Sequence, residues 1–170
     1  METCELVMLG SFILPTGYLI ASDPCYEKGV WCMGELKKAY CGRWDALATY
    51  SYFSATKTRL RKLTIKSGSC STRGRLVPTV EPFVVGVDSG YVGFFDGRHF
   101  QAGNDTLCQR WYDYCKRHIQ PPYNAGIITC GVVASARYGD GEHRCISYRD
   151  DEQVIHMAEL ILSEDDRGWI

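Results

Sequence analysis

The stretch that decides the fold runs from Val84 to Asp96 and has the sequence VVGVDSGYVGFFD. Two apolar runs of strand length flank Asp88–Gly90, and both are rich in β-branched or aromatic residues. Glycine tolerates the positive φ that tight turns need, so Gly90 favours a turn between the runs. The pattern predicts a pair of strands joined by a turn that carries a carboxylate.

A second stretch has the same organisation and runs from Gly131 to His143, with the sequence GVVASARYGDGEH. Its glycine-rich turn carries Asp140 and follows a β-branched run. We expect a strand over Gly126–Ala136 to pair with one over Cys145–Tyr148 across this turn. Two strand-turn-strand units with a carboxylate at each turn would form a scaffold for one polar site.

The remainder of the chain also favours strands, with one clear helix. The helix is predicted at about 105–119, because Asn104 or Asp105 can cap it and Pro121–Pro122 follows it. Further strands are expected at Leu6–Leu9, Gly17–Ala21, Gly34–Tyr40, Trp44–Phe53, Leu60–Lys66 and Val154–Leu162.

These elements predict an α+β, β-dominated fold, in which one main helix covers a twisted, mostly antiparallel sheet or sandwich. At 170 residues the chain is long enough for one domain with a real core, so we expect residues 1–170 to form a single domain. The acidic C-terminal tail, 163–170, is expected to fray.

The charge distribution is uneven, although the net charge is only −1. That net charge does not favour binding of duplex nucleic acid through a broadly basic surface. Every charged residue from Lys57 to Arg75 is basic, whereas acids dominate from Asp150 onward. These segments are either two solvated faces that compensate each other, or a basic strand that meets an anionic ligand or acidic partner.

The nine cysteines show no CxxC spacing, which argues against a zinc ribbon or a thioredoxin-like motif. The N-terminus lacks the basic segment and the uninterrupted apolar run of an export signal, and no stretch has the length of a membrane span. We therefore expect a cytoplasmic protein with no membrane contact, in which most cysteines are small core residues.

Three motifs carry a resemblance to a known family: DPCY at Asp23–Tyr26, VDSG with GFFD within Val87–Asp96, and YGDG at Tyr138–Gly141. In this order and spacing the chain resembles an uncharacterised bacterial and phage family, the domain-of-unknown-function family 4241. The chain departs from that family at Tyr91–Val92, where Gln and a small residue are usual, and at His143, where an aromatic is common. The resemblance implies a fold and a polar site, but no agreed reaction.

Aspartates supply the first candidate site, since Asp23, Asp88, Asp96 and Asp140 all lie in or beside these motifs. If they converge, they could bind a hard cation such as Mg²⁺ or divide acid and base roles between them. The alternative is that each carboxylate accepts hydrogen bonds from its own turn. Asp88 and Asp140 are the two that we favour as functional.

An anion or nucleotide pocket is the second candidate. Arg137 supplies a fork for phosphate, and the amides of a glycine-rich turn can form an anion-binding nest. Aromatic rings could wall such a pocket, or they could simply pack in the core. The predicted ligand-binding residues are Asp23, Tyr26, Asp88, Ser89, Tyr91, Asp96, Arg137, Tyr138, Asp140 and His143.

Catalytic signatures are weaker. The chain has no Gly-x-Ser-x-Gly elbow, and His143 and Cys145 on one strand face do not by themselves make a zinc site. The other histidines, His99, His118 and His156, are expected to be structural.

The sequence therefore favours a non-catalytic cytoplasmic binding protein without a cofactor. It would capture a small anionic ligand, such as a nucleotide signal, or a protein partner. The resemblance suggests a phage-encoded counter-defence setting in the host cytoplasm. One alternative is a Mg²⁺-dependent hydrolase of a phosphate-containing substrate that uses the clustered aspartates. Another is an immunity-type interaction module with an exposed apolar patch, and we also expect a homo-oligomer because sheet edges often pair.

Overall fold

The computed structural model describes residues 3–27, 29–54, 57–72, 74–100, 105–136 and 141–162. Over these ranges the chain forms twelve strands and one α-helix, α1, at Asp105–Arg117. The strands are β1 Thr3–Leu14, β2 Tyr18–Ser22, β3 Gly34–Lys37, β4 Gly42–Ser54, β5 Lys57–Ser67, β6 Val77–Pro78, β7 Phe83–Val87, β8 Tyr91–Asp96, β9 Ala125–Ile128, β10 Gly131–Ser135, β11 Gly141–Arg149 and β12 Ile155–Ile161. The predicted β-dominated α+β class is confirmed. The predicted fraying of the tail 163–170 lies outside the described residues.

The strands form two antiparallel sheets. The large sheet has the order β1-β4-β5-β12-β11-β6, and β7 also pairs with β11. The small sheet has the order β3-β2-β8-β10-β9. In the large sheet, β4 and β11 alternate more and less buried positions, as expected for strands that bury one face. In the small sheet, β2, β8 and β10 are buried along nearly their whole length, because both faces of that sheet are covered.

The sheets and the helix pack in three layers, because neighbouring residues of a strand point to opposite faces of its sheet. In β8, Phe94 packs into the core between the two sheets, whereas the next residue, Phe95, packs on the opposite side against Trp111 of α1. Ile65 and Trp44 supply the inter-sheet core from the large sheet. The order of layers is therefore large sheet, small sheet, helix, and no described element covers the outer face of the large sheet.

The strands on either side of each glycine-rich stretch lie in different sheets, which corrects the predicted pairing across Tyr138–Gly141. The turn Asp88–Gly90 carries the chain from β7 in the large sheet to β8 in the small sheet. Gly90 has φ 78°, the left-handed conformation for which glycine is suited. The strands β10 and β11 likewise belong to different sheets, so the predicted pairing of Gly126–Ala136 with Cys145–Tyr148 is wrong.

Two further predictions need correction. The run Gly126–Ala136 is two strands, because Thr129–Cys130 forms a tight turn in which Cys130 has φ 58°. Of the eight cysteines whose side chains the structure describes, only Cys32, Cys115 and Cys145 are buried, so most of these eight are not core residues. The predicted helix is confirmed and ends two residues early, at Arg117.

We predict that Trp111→Ala destabilises the fold, because Trp111 fills the layer between α1 and the small sheet beside Phe95 and Phe100. The free energy of unfolding should fall by about 3–5 kcal/mol, as for other buried aromatic truncations. Urea denaturation measures it. The matched control is Gln109→Ala, on the exposed side of the same helix, and an equal loss in both variants would contradict the layer order.

Candidate functional site

Asp23 lies at the centre of one end of the sandwich, directly after β2, and is fully buried. Its Oδ2 accepts hydrogen bonds from the amides of Asp88 (2.8 Å) and Ser89 (2.7 Å). Its Oδ1 accepts from the Ser89 hydroxyl (2.7 Å) and the Cys25 amide (2.8 Å). Asp23 therefore ties the loop after β2 to the turn that crosses between the sheets.

Other predicted site residues gather around this carboxylate. Burial raises the pKa of Tyr26, and the Asp88 carboxylate, which is hydrogen-bonded to it, raises it further. The hydroxyl of Tyr112 in α1 is hydrogen-bonded to Ser89, and its ring lies 5.9 Å from that of Tyr91. The structure thus brings Asp23, Tyr26, Asp88, Ser89 and Tyr91 together, and it adds Tyr112, which the helical periodicity did not single out.

Three predicted residues, Arg137, Tyr138 and Asp140, lie outside the described residues. The residues that flank them do adjoin the same turn: the Ala136 amide donates to the Gly90 carbonyl (2.8 Å), and Gly141 is paired with Val87. His143 is buried on β11 opposite Val85, on the side of the strand that faces the inter-sheet core.

The amides of the Asp88–Gly90 turn could have formed an anion-binding nest. In the structure Asp23 supplies the anion, since the amides of Asp88 and Ser89 both donate to its Oδ2. The exposed Asp88 side chain adds a second negative charge there. An external anion at this end would therefore need other donors.

Asp96 lies at the opposite end of β8 and is also fully buried. Its Oδ2 accepts from the amide (3.2 Å) and hydroxyl (2.6 Å) of Thr16, and its Oδ1 from the Arg98 amide (3.0 Å) and His99 Nδ1 (2.9 Å). Burial opposes ionisation, but these hydrogen bonds outweigh it and lower the pKa of Asp96.

The predicted aspartate cluster does not form from the described members. In the β2–β8 register, Ser22 pairs with Gly93 and Leu19 with Asp96. Asp23 and Asp96 are therefore separated by about 13 Å at 3.3 Å per residue, too far to share one cation. Among the described residues, no group of three or more His, Cys, Asp or Glu side chains could hold a metal ion.

A third buried aspartate, Asp150, was missed in the sequence. It follows β11, and its Oδ1 accepts from the amides of Glu152 and Val154 (both 2.9 Å). Its Oδ2 is 2.9 Å from Nε2 of His156, whose Nδ1 is 2.8 Å from the Ser67 hydroxyl. Burial opposes ionisation of Asp150, but its hydrogen bonds, from the Val154 amide above all, lower its pKa. Ser67 and His156 are 89 positions apart, so no local motif could reveal their hydrogen bond.

The outer face of the large sheet is the remaining candidate surface. We define it as the outward positions of β1, β4, β5 and β12, which the strand registers place side by side. It carries exposed apolar residues on β1 and a polar cluster on β5 and β12. In that cluster Glu159 accepts from Lys62 (2.7 Å), Tyr148 (2.6 Å) and Thr64 (3.3 Å).

A groove of about 410 Å³ lies beside β6, between the segments Val77–Val80 and Arg149–Asp151. None of the predicted site residues lines it, so the groove and the predicted site are separate features.

Compared with known proteins, the chain matches no family model, no curated protein and no solved structure. The resemblance to family 4241 therefore stays a prediction. Within the described ranges, no helix is both long enough and apolar enough to span a membrane.

We predict that Asp23→Ala is strongly destabilising, because it removes a buried acceptor and leaves the amides of Asp88 and Ser89 without their partner. The expected loss is about 3 kcal/mol in the free energy of unfolding. The matched control is Asp88→Ala in the same turn, whose exposed side chain loses one hydrogen bond, to Tyr26, and should cost about 1 kcal/mol or less. Urea denaturation compares them. A larger loss for Asp88→Ala would contradict the structural role of Asp23.

The lowered pKa of Asp96 predicts a pH dependence. Its folded pKa lies below the ordinary 3.8, so its stabilising contribution is complete above about pH 5 and is lost as the pH falls through the folded pKa. Asp96→Asn should be less stable than the native protein at pH 7, and the difference should shrink below pH 4. Thermal midpoints at pH 3 to 7 test this, and a difference independent of pH would contradict it.

Proposed function

We propose that the chain is a protein-binding module that docks an acidic partner with apolar side chains on the outer face of the large sheet. One observation carries the proposal: Leu6, Met8 and Ile13 all point outward from β1 and are 62%, 50% and 53% exposed. This is the interaction-module alternative, which predicts an exposed apolar patch.

Part of the outer face is a continuous apolar surface. Leu6 and Met8 are neighbours on one side of β1, and Met8 is paired with Leu47 of β4, so the surface continues from the edge strand into the sheet. Ile13 lies further along β1, beyond the outward Ser11. A solvated outer sheet face normally carries polar residues at these positions. Exposed apolar residues grouped on one face are typical of protein interaction sites, whereas scattered ones need no explanation.

The charges on the outer face indicate that the partner presents acidic side chains. On the outward positions of β1, β4, β5 and β12 the acids are already engaged within the chain: Asp45 with Arg43 at 3.2 Å, and Glu159 with Lys62. Lys66 lies exposed on the same face, and every charged residue of β5 is basic. A partner with acidic side chains would therefore complement the face.

A second copy of this chain fits the face less well. The basic strand β5 lies near the middle of the large sheet. Stacking two identical faces would bring these basic residues together, and like charges across an interface cost several kcal/mol. We therefore assign the face to a different protein.

Capture of a small anionic ligand, which the sequence also predicts, stays a prediction. Capture of an anionic ligand depends on Arg137, Tyr138 and Asp140, which are outside the described residues. A cytoplasmic location is part of the proposal and is supported by the thiol state of the eight described cysteines.

We predict that Met8→Asp and Lys66→Glu each weaken partner binding by at least about tenfold, the effect of losing one central contact. The partner is first isolated from the source organism with the immobilised native protein. It is then produced alone, and its affinity is measured by calorimetry at two salt concentrations. Binding should also weaken with salt, because it includes charge attraction.

Controls come from opposite surfaces. Trp31→Ser removes an exposed ring elsewhere, and Lys116→Glu reverses a charge on α1. Both should bind within about twofold of the native protein. Equal affinity in all four variants would overturn the proposal. So would a homodimer that Met8→Asp dissociates in analytical ultracentrifugation, because the occupant would then be a second copy.

A further inference from the structure

A chain of hydrogen-bonding groups leads from the interior to the surface at the end of β5. Asp150, His156 and Ser67 are its buried members. Ser69, which is half-buried in the turn after β5, continues it: its hydroxyl oxygen is 3.4 Å from His156 Nδ1 and 3.5 Å from the Ser67 oxygen. These hydrogen-bonded residues lie apart from the proposed docking residues Leu6, Met8 and Ile13, and they have no part in the proposed function.

The hydrogen bonds assign the proton on His156. Asp150 accepts two backbone amides through Oδ1 and faces His156 Nε2 with Oδ2, and an ionised carboxylate can only accept. The proton of a neutral imidazole is therefore on Nε2. The single lone pair of Nδ1 accepts from one serine hydroxyl at a time, either from Ser67 at 2.8 Å or from Ser69 at 3.4 Å. Tyr40 packs against the imidazole at 5.4 Å between ring centroids and helps to fix its orientation.

This is the arrangement of a base and its orienting carboxylate in Ser–His–Asp enzymes, with the two ring nitrogens exchanged. We propose that Ser69 is a nucleophile activated by His156, and that the protein hydrolyses small carboxylic esters at the turn after β5.

Exposure selects Ser69 over Ser67. Ser67 makes the shorter contact with Nδ1, at 2.8 Å, but it is buried within β5 and paired with Trp44. Ser69 is the member of the chain that an external ester can approach. Contacts between nucleophile and base are often long before substrate binds, so 3.4 Å is compatible with the role.

The reaction has the following balance. The Ser69 oxygen bonds to the acyl carbon of the ester while its proton moves to His156 Nδ1. The bond from the acyl carbon to the alcohol oxygen then breaks, and the alcohol leaves with the proton from Nδ1. Water repeats both steps on the acyl-serine, which releases the carboxylic acid and restores Ser69. Asp150 remains ionised and stabilises the imidazolium.

A fluorophosphonate probe tests the nucleophile, because it reacts with serines that have an adjacent base. The native protein should be labelled once, at Ser69, as located by tandem mass spectrometry. Ser69→Ala should lose the label. Ser71→Ala, an exposed serine of the same turn, and Ser67→Ala should keep it. Hydrolysis of p-nitrophenyl acetate by the same four proteins should follow the labelling.

Removing the base separates catalysis from a purely structural role of the hydrogen-bonded residues. His156→Gln should slow labelling by at least about 100-fold, the usual contribution of a general base, in protein that remains folded by circular dichroism. An unlabelled native protein, a label that survives in Ser69→Ala, or an unchanged labelling rate in folded His156→Gln would each overturn the proposal.

Discussion

The structure depends on buried aspartates that bond to backbone amides at the ends of strands. Asp23 and Asp150 directly follow β2 and β11, Asp96 is the last residue of β8, and each accepts from at least two backbone amides. Asp23 fixes the turn that crosses between the sheets, whereas Asp150 fixes the turn between β11 and β12 and Asp96 fixes the segments before β2 and after β8. The backbone groups of such segments cannot join a ladder and need another partner. A charged acceptor satisfies several of these groups at once and makes stronger hydrogen bonds than a neutral one. The loops and the sheets thereby become one cooperative unit.

Local sequence predicted the elements better than their partners. Alternation and turn residues located most strands, and the cap and prolines located α1, because these signals act over a few residues. The pairing of the segment before the Tyr138–Gly141 turn with the one after it was predicted wrongly. A short glycine-rich turn is compatible either with a hairpin or with a crossing to the facing sheet. Only the packing of distant strands, such as β7 on β11 and β8 on β2, decides between them.

The candidate site was likewise predicted better in its members than in the contacts between them. The sequence identified Asp23, Asp88 and Ser89 as neighbours, and the structure brings them together. It could not indicate which carboxylate would be buried, and Asp23 rather than Asp88 is the one that the fold uses. The Ser67–His156 contact was beyond sequence reasoning, because its members are on different strands and neither has a recognisable motif. The outer face was partly visible as the basic run of β5, but its apolar half depends on which side of β1 faces water.

The order of layers places the proposed docking face and the proposed nucleophile on different surfaces. One face of the small sheet is covered by α1, whereas no described element covers the outer face of the large sheet, and Ser69 lies in the turn at the end of β5. Asp23 occupies the amides of Asp88 and Ser89 in the turn between the sheets. Amide hydrogen exchange of Asp88 and Ser89, followed by NMR with and without added phosphate, measures this occupancy. Both amides should exchange as slowly as those of the neighbouring strands and should not respond to phosphate. Exchange as fast as in an exposed loop, with shifts on adding phosphate, would show that the turn is an open anion site and that Asp23 does not hold it.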